Sequence, residues 1–162
     1  LTDARADDAG AEVDAAISRL FTYAAWADKH DGAVHDVPLR GVSLAMHEPI
    51  GVVGVACPDV YPLLGFVSLV APLLAAGNRV IAVPSERYPI AATDLYSVLE
   101  TSDVPAGAVN IVTGARDALA KVLADHDDVD ALCKAARASL DAKTGGKEIA
   151  LVPAREGEEL EV

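Results

Sequence analysis

Short, predominantly apolar runs alternate with longer segments of helical character along most of this chain. Four of the runs are rich in Val, Ile and Ala and predict strands: 50–57, 79–85, 108–114 and 129–133. Three segments between them predict helices: 61–76, 88–103 and 115–126. Because strands and helices alternate, the pattern predicts a parallel sheet joined by right-handed crossovers.

The fold class that follows is α/β, a Rossmann-type parallel sheet with helices on both faces. Helices on both faces also explain why the strands are apolar throughout instead of alternating with polar residues. Gly77-Asn78 stands where the first of these helices should end. Seven residues of the next two helices are predicted to face inward: Ile90, Leu95, Val98, Leu99, Leu119, Val122 and Leu123.

The first 48 residues predict a separate N-terminal unit. Apolar residues recur at helical spacing over 9–29: Val13, Ile17, Leu20, Phe21, Ala24 and Ala27. AVHDVPL at 33–39 and VSLAMHE at 42–48 predict a short antiparallel β-ribbon. The predicted organisation is thus an N-terminal helix and ribbon over 1–48, a Rossmann-type domain over 49–152 and an acidic tail over 153–162.

Composition and charge narrow the class of protein. Apolar residues make up 52% of the chain and aromatic residues 4%, so the core is expected to consist of small aliphatic side chains. The 25 acidic residues against 13 basic ones give a net charge of −12, which disfavours nucleic acid and anionic lipid as partners. The uncharged run at 61–76 is too short for a membrane span.

The opening LTDARADDAGAEVD is acidic and has no apolar core of a signal peptide, so a cytoplasmic location is expected. A first residue other than Met suggests a fragment. Cys57 and Cys133 fall in apolar surroundings and are expected to be buried and inert. The spacing of cysteines and histidines predicts no metal site.

Three stretches carry a resemblance to a known family: EPIGVVGVACPDVYPLLG, LVAPLLAAGNRVIAVPSE and VPAGAVNIVTG followed by LADHDDVDAL. Together with FTYAAWADKHDG, they resemble the coenzyme-binding domain of aldehyde dehydrogenases, in the same order and spacing, over about 11–132. The details most resemble the second, degenerate unit of the tandem family-16-type enzymes. The resemblance implies NAD or NADP as the cofactor, if any binds.

The resemblance also implies site residues at the end of the first sheet strand. The family has Pro-Trp-Asn-Phe-Pro there, and its Asn helps to hold the oxyanion. This chain has Ala56, Cys57 and Pro58 leading to Val60 at the Asn position. Because a valine side chain donates no hydrogen bond, this oxyanion donor is missing. Losing such a donor typically costs about 10²–10³ in rate.

After the second sheet strand the family has Lys-Pro-Ser-Glu, whose Lys and Glu hold the adenosine ribose. Here the cofactor positions are Val83, Pro84, Ser85 and Glu86, with Gly114 at the family's adenine-contacting glycine. Val83 replaces the Lys that holds the ribose, whereas Glu86 and Gly114 keep the family's residue types at these coenzyme contacts. The glycine-rich helix entry is replaced by ARDALAK, and the turn after the fourth strand is missing, so cofactor binding is expected to be weak or lost.

The family's base lies in Glu-Leu-Gly-Gly-Lys, and this chain has AKTGGKEIALVPA. Gly145-Gly146 is either a remnant of that motif, with Lys143 at the position of the Glu, or a loop that leads to a fifth strand. Neither cysteine matches the family's nucleophile, so no catalytic residue is assigned.

Two functions remain open at this stage. One is a non-catalytic structural module that packs against a catalytic aldehyde dehydrogenase unit or a copy of itself. The other is the NAD(P)-binding portion of an active aldehyde dehydrogenase, which oxidises an aldehyde to a carboxylic acid. The predicted partner is accordingly a homo-oligomer or a catalytic unit, bound through the ribbon and through the helix face around Phe21 and Trp26.

Overall fold

The computed structural model describes residues 6–29, 32–38, 40–134 and 151–153. The helices are α1 (Ala6–Ala27), α2 (Pro62–Ala75), α3 (Ile90–Glu100) and α4 (Arg116–Ala124). The strands are β1 (Ala33–His35), β2 (Ser43–Ala45), β3 (Val52–Ala56), β4 (Arg79–Val83), β5 (Val109–Ile111), β6 (Ala131–Lys134) and β7 (Leu151–Pro153).

The main sheet has the strand order β5-β4-β3-β6-β7, and its first four strands are parallel. The chain moves outward from β3 through β4 to β5 and then returns across the sheet, so that β6 pairs with the other side of β3. The predicted α/β class is confirmed. The fifth strand, β7, pairs antiparallel with β6 and is the exception to the parallel pattern.

Helices cover both faces of the sheet, as the continuous apolar strands predict. On one face Val53 and Val55 join a core with residues of α2 and α3, including the fully buried Phe66. On the other face Ala56 packs with Ala120 of α4. A Cβ atom on Gly54 would lie 2.9 Å from Leu132 Cδ1 and 3.3 Å from Leu123 Cδ1, so glycine lets α4 pack closely on the sheet.

Two of the predicted inward faces need correction. In α3, Leu95 and Leu99 pack against the core, but Ile90 and Val98 are exposed because the buried face is centred on Ala92. In α4, the buried side chain is Ala120, with Leu119 and Leu123 partly buried, whereas Val122 is exposed. In both helices, one or two apolar residues lie beyond the edge of the contact with the sheet.

Helix α2 ends where the sequence predicts. Gly77 has a φ of 83°, a left-handed conformation that glycine adopts without strain. The buried Asn78 then joins the helix end to β3: its Nδ2 donates to Leu73 O at 3.1 Å, and its Oδ1 accepts from Gly51 N at 3.1 Å. These bonds fix the end of α2 beside the start of β3.

Helix α1 packs along α2, but with a different face from its apolar stripe. The contact with the core is made by Ala16 and Tyr23. We define the α1 stripe as Val13, Ile17, Leu20 and Phe21; all four residues are exposed, Phe21 to 74%. Hence the helical periodicity correctly predicts the helix, whereas the apolar residues that reveal it lie on its exposed side.

The predicted ribbon forms, with β1 and β2 antiparallel and Val34 opposite Leu44. Four of its apolar residues are exposed: Val34, Val42, Leu44 and Met46. In the described part of the chain, no helix is long and apolar enough to cross a membrane. The Gly145-Gly146 motif and the acidic tail from 154 onward lie outside the described residues.

Candidate functional site at the carboxyl edge of the sheet

The carboxyl ends of β3 and β4 meet at one edge of the sheet, where α2 and α4 begin. Cys57 N donates to Val83 O at 2.9 Å, which carries the pairing of the two strands one residue further. In open α/β sheets, ligands bind outside this edge, near the point where the strand order reverses. That point lies here between β3 and β6.

Asp59 is the centre of a hydrogen-bond network at this edge. Its Oδ1 accepts from Ser85 Oγ at 2.8 Å, from Glu86 N at 3.1 Å and from Arg87 N at 3.4 Å. Its Oδ2 pairs with Nη1 of Arg116 at 3.2 Å, and the same Nη1 donates to Cys57 O at 3.2 Å. One carboxylate therefore ties the end of β3 to the turn after β4 and to the start of α4.

Partial burial raises the pKa of the Asp59 carboxyl, but the other effects outweigh it. The hydrogen bond from Ser85 Oγ, the bond from Arg87 N, the charge of Arg116 and the bond from Glu86 N all favour the carboxylate. The net result is a pKa below its ordinary value, so Asp59 is charged at neutral pH.

Glu86 is engaged at the N-terminus of α4. The residue before this helix, Ala115, has no side chain that caps it, and Arg116 N donates instead to Glu86 Oε2 at 3.1 Å. Gly114 precedes this cap with a φ of 156°, and a Cβ atom there would lie 3.0 Å from Leu119 Cδ1. The carboxylate predicted to accept from a ribose thus serves as a helix cap in this structure.

Glu12 caps α2 from a distant part of the chain. Tyr61, which precedes the helix, makes no side-chain cap. The buried Glu12 of α1 accepts with Oε1 from Leu63 N at 2.8 Å and from Leu64 N at 3.1 Å. A carboxylate here also complements the positive end of the helix dipole.

The structure brings the sequence-predicted cofactor residues to this one edge, with very different exposure. Five are buried: Ala56, Cys57, Val83, Pro84 and Ser85. Pro58 is partly buried, whereas Val60, Glu86 and Gly114 are exposed. Val83 lies on the sheet face that carries Ala56, with 1% of its surface exposed. Their role as cofactor contacts remains a prediction.

Neither described cysteine is suited to nucleophilic chemistry. Burial, and secondarily the neighbouring Cys133, raises the pKa of the Cys57 thiol to about 12 despite the opposing charge of Arg116. Burial raises the pKa of Cys133 to about 11. Both are therefore protonated thiols near neutral pH, as their apolar surroundings in the sequence predict.

Sequence reasoning missed two residues that organise this edge, Arg116 and Glu12. Arg116 stands at the start of what the sequence presents as an ordinary helix, and no motif indicates that it reaches Asp59. Glu12 is one of many acidic residues, although its position between apolar residues of a helix is a weak signal. Within the described ranges, no group of His, Cys, Asp and Glu side chains is arranged to hold a metal ion.

Comparison with known proteins gives a consistent result. A model of the aldehyde dehydrogenase family matches residues 3–135. The chain is 36% identical to an aldehyde dehydrogenase of Agaricus bisporus over 114 residues, or 70% of this chain. It is 35% identical to aldehyde dehydrogenase 1A1 of Gallus gallus over 121 residues, or 74% of this chain. It spans 23% of the length of each of these two relatives.

Solved structures show the same similarity. The chain superposes on an aldehyde dehydrogenase of Bacillus cereus in complex with NAD+ with a TM-score of 0.73 and 25% identity, over 76% of this chain and 25% of that one. It also superposes on a glyceraldehyde-3-phosphate dehydrogenase of Methanocaldococcus jannaschii complexed with NADP. That match has a TM-score of 0.71 and 26% identity, over 78% of this chain and 28% of that one.

Proposed function

Because this chain belongs to the aldehyde dehydrogenase family, which the match over 3–135 shows, we propose that it is a coenzyme-domain unit with a structural or assembly role rather than a catalytic one. The proposed units are the N-terminal helix and ribbon over 1–48, the coenzyme-binding-like domain over 49–152 and the tail over 153–162. The proposed partner is a second copy of the chain or a catalytic aldehyde dehydrogenase unit.

The observation that carries the proposal is that the ribbon and the α1 stripe each leave apolar side chains exposed. A two-stranded ribbon is marginally stable alone. In this ribbon, Val34 and Leu44 lie opposite each other on the two strands, and both side chains are exposed. Contiguous exposed apolar surface ordinarily marks an interface. The net charge of −12 opposes unlimited association, which favours a closed dimer or a defined complex over aggregation.

The carboxyl edge supports the non-catalytic part of the proposal. Val60 is exposed there and has no polar group for an oxyanion. The thiol of Cys57, three residues earlier, is buried, and its pKa is raised to about 12. Asp59, Glu86 and Arg116 are engaged with one another and with the backbone around them. These contacts favour a structural role for the carboxyl edge over a catalytic one.

A second candidate function is the NAD(P)-binding portion of an active aldehyde dehydrogenase. Glu86 and Gly114 favour it, because both are exposed at the carboxyl edge with the residue types that the family uses for the coenzyme. In this case NAD or NADP would be held with loss of affinity at Val83, where the family has its ribose-binding Lys. A cytoplasmic location is part of either proposal, and the two free thiols agree with a reducing compartment.

Sedimentation velocity over a range of concentrations tests the assembly role. We expect the chain to dimerise in the micromolar range, and the double variant Val34→Lys/Leu44→Lys to shift the monomer–dimer equilibrium at least about ten-fold toward monomer. Val122→Lys is the matched control, since it places a lysine at an exposed valine of α4 instead of the ribbon. A parent chain that stays monomeric at high micromolar concentration, alone and with a catalytic aldehyde dehydrogenase, rules out the assembly role.

A further inference from the structure

The face of the sheet that carries α4 is only partly covered. Ile81 of β4 pairs in register with Gly54 of β3, so both residues face α4. Two residues further along β4, Val83 is buried on the same face, whereas Ile81 is partly exposed although β4 is an inner strand. Strands of a parallel sheet are ordinarily buried on both faces. Helix α4 thus leaves apolar surface uncovered toward the amino ends of the strands.

A pocket of about 350 Å³ opens at this place, between the sheet and the C-terminal end of α4. We call it the amino-edge pocket, because it lies at the edge of the sheet opposite to the candidate site described above. Its apolar lining consists of Val52, Ile81, Leu123 and Val129. The ionisable side chains that line it are Arg79, His126 and Asp128. A volume of this size is at the lower end of the range for pockets that bind small organic molecules.

The guanidinium of Arg79 is available to a ligand of this pocket. Among the described residues, the Arg79 side chain makes no hydrogen bond and no ion pair, whereas Arg116 is bound to Asp59 and to Cys57 O. A guanidinium group binds a carboxylate through two parallel N–H bonds. A cation beside an apolar pocket therefore favours a ligand that has one carboxylate and an apolar body.

His126 supplies a second donor. Its Nδ1 accepts a hydrogen bond from Asp128 N at 3.2 Å, so a neutral imidazole carries its proton on Nε2 and can donate from there. The acidic residue of the lining, Asp128, has a side chain that is 92% exposed. Water consequently screens its repulsion of a bound carboxylate.

We propose that the amino-edge pocket binds a small amphipathic monocarboxylate. Arg79 and His126 hold the carboxylate, and Ile81, Leu123 and Val129 enclose the apolar part of the ligand. The inference is independent of the assembly role proposed above, since it concerns a different face of the molecule and its test measures binding of a small molecule.

An NMR titration of the parent chain with phenylbutyrate tests the site. We expect saturable shifts of the amide resonances of Ile81, Gly107 and Val129, with a dissociation constant of about 1 mM or tighter. The amides of Glu86 and Arg87, at the carboxyl edge, should not shift. Phenylbutanol lacks the carboxylate and butyrate lacks the ring, so each should bind at least about ten-fold more weakly than phenylbutyrate.

A pair of variants tests the role of the guanidinium. Arg79→Gln should weaken the binding of phenylbutyrate at least about ten-fold, because it removes a charged hydrogen-bond donor from an exposed position. Arg19→Gln is the charge-matched control, since Arg19 is an exposed arginine of α1, a helix that packs on the other face of the sheet. Its affinity for phenylbutyrate should equal that of the parent.

Four outcomes overturn the inference. The parent may show no saturable shifts at the amino-edge pocket, or phenylbutanol may bind as tightly as phenylbutyrate; both measurements need only the parent chain. Equal affinities of Arg79→Gln and Arg19→Gln exclude recognition of the carboxylate by Arg79. Binding that weakens as the concentration of the chain rises shows that a second copy, and not a small acid, fills the pocket.

Discussion

Asp59 is a single residue whose charge joins three segments, and its contribution to stability depends on pH. Because the folded-state pKa is below the ordinary aspartate value of about 3.9, the stabilisation is fully present above that value. It is lost as the pH falls through the folded-state pKa. At pH 7, Asp59→Asn should reduce the free energy of unfolding by about 1.5–3 kcal/mol, the range for hydrogen bonds to a charged group.

Urea unfolding of the parent and of Asp59→Asn between pH 7 and pH 2 measures this prediction. The difference between them should shrink toward the acid end of the range, as the parent's carboxylate becomes protonated. Asp103→Asn, at an exposed position, should change stability little at either end. A difference between the parent and Asp59→Asn that stays constant with pH would show that the charge of Asp59 is unimportant.

The two thiols give a second prediction at the residue scale. Since burial raises the pKa of Cys57 to about 12 and that of Cys133 to about 11, almost no thiolate exists at pH 8. Both cysteines should therefore react with a disulfide reagent at least about a hundred-fold more slowly in the folded chain than in urea. The reaction is followed by absorbance, and the urea-unfolded chain is the control. Rapid labelling of the native chain at pH 8 contradicts the burial of the thiols.

At the scale of elements, α2 depends on a cap supplied by another helix. Glu12→Ala removes the acceptor for Leu63 N and Leu64 N and should lower the free energy of unfolding by about 0.5–2 kcal/mol, which is the range for capping residues. Glu12→Gln keeps an oxygen acceptor and should cost less. Asp14→Ala is the matched control, because Asp14 is an exposed acidic residue of the same helix. Chemical denaturation that gives equal losses for Glu12→Ala and Asp14→Ala would exclude the capping role.

Elements were predictable from the sequence to the extent that local patterns determine them. The run at 50–57 predicts β3 because a strand buried on both faces admits few polar residues, and Gly77 predicts the end of α2 because it takes a left-handed conformation. Which side of a helix is buried depends on neighbours distant in sequence. Accordingly Val98 and Val122 are exposed despite their apolar side chains.

The candidate site was predictable in position but not in its contacts. The carboxyl edges of parallel strands coincide, so residues after β3 and β4 must lie together wherever that fold forms. The bond between Asp59 and Arg116 joins residues 57 positions apart, and it depends on the direction in which one long side chain extends. No local pattern specifies that direction, and for the same reason Glu12 was missed as the cap of α2.

At the scale of the whole molecule, the contacts at the carboxyl edge lead to the final prediction, which concerns binding of the coenzyme. Engaged carboxylates, an exposed Val60 and a buried Val83 leave few groups at this edge that can grip NAD or NADP. We expect a dissociation constant of about 1 mM or weaker for either nucleotide by calorimetry. Glu86→Ala should abolish any binding that remains if it occurs at this edge, whereas Asp103→Ala should not. Sub-micromolar binding of NAD that Glu86→Ala removes would instead favour the coenzyme-binding portion of an active dehydrogenase. In that case Glu86 would have to give up its hydrogen bond to Arg116 N in order to bind the nucleotide.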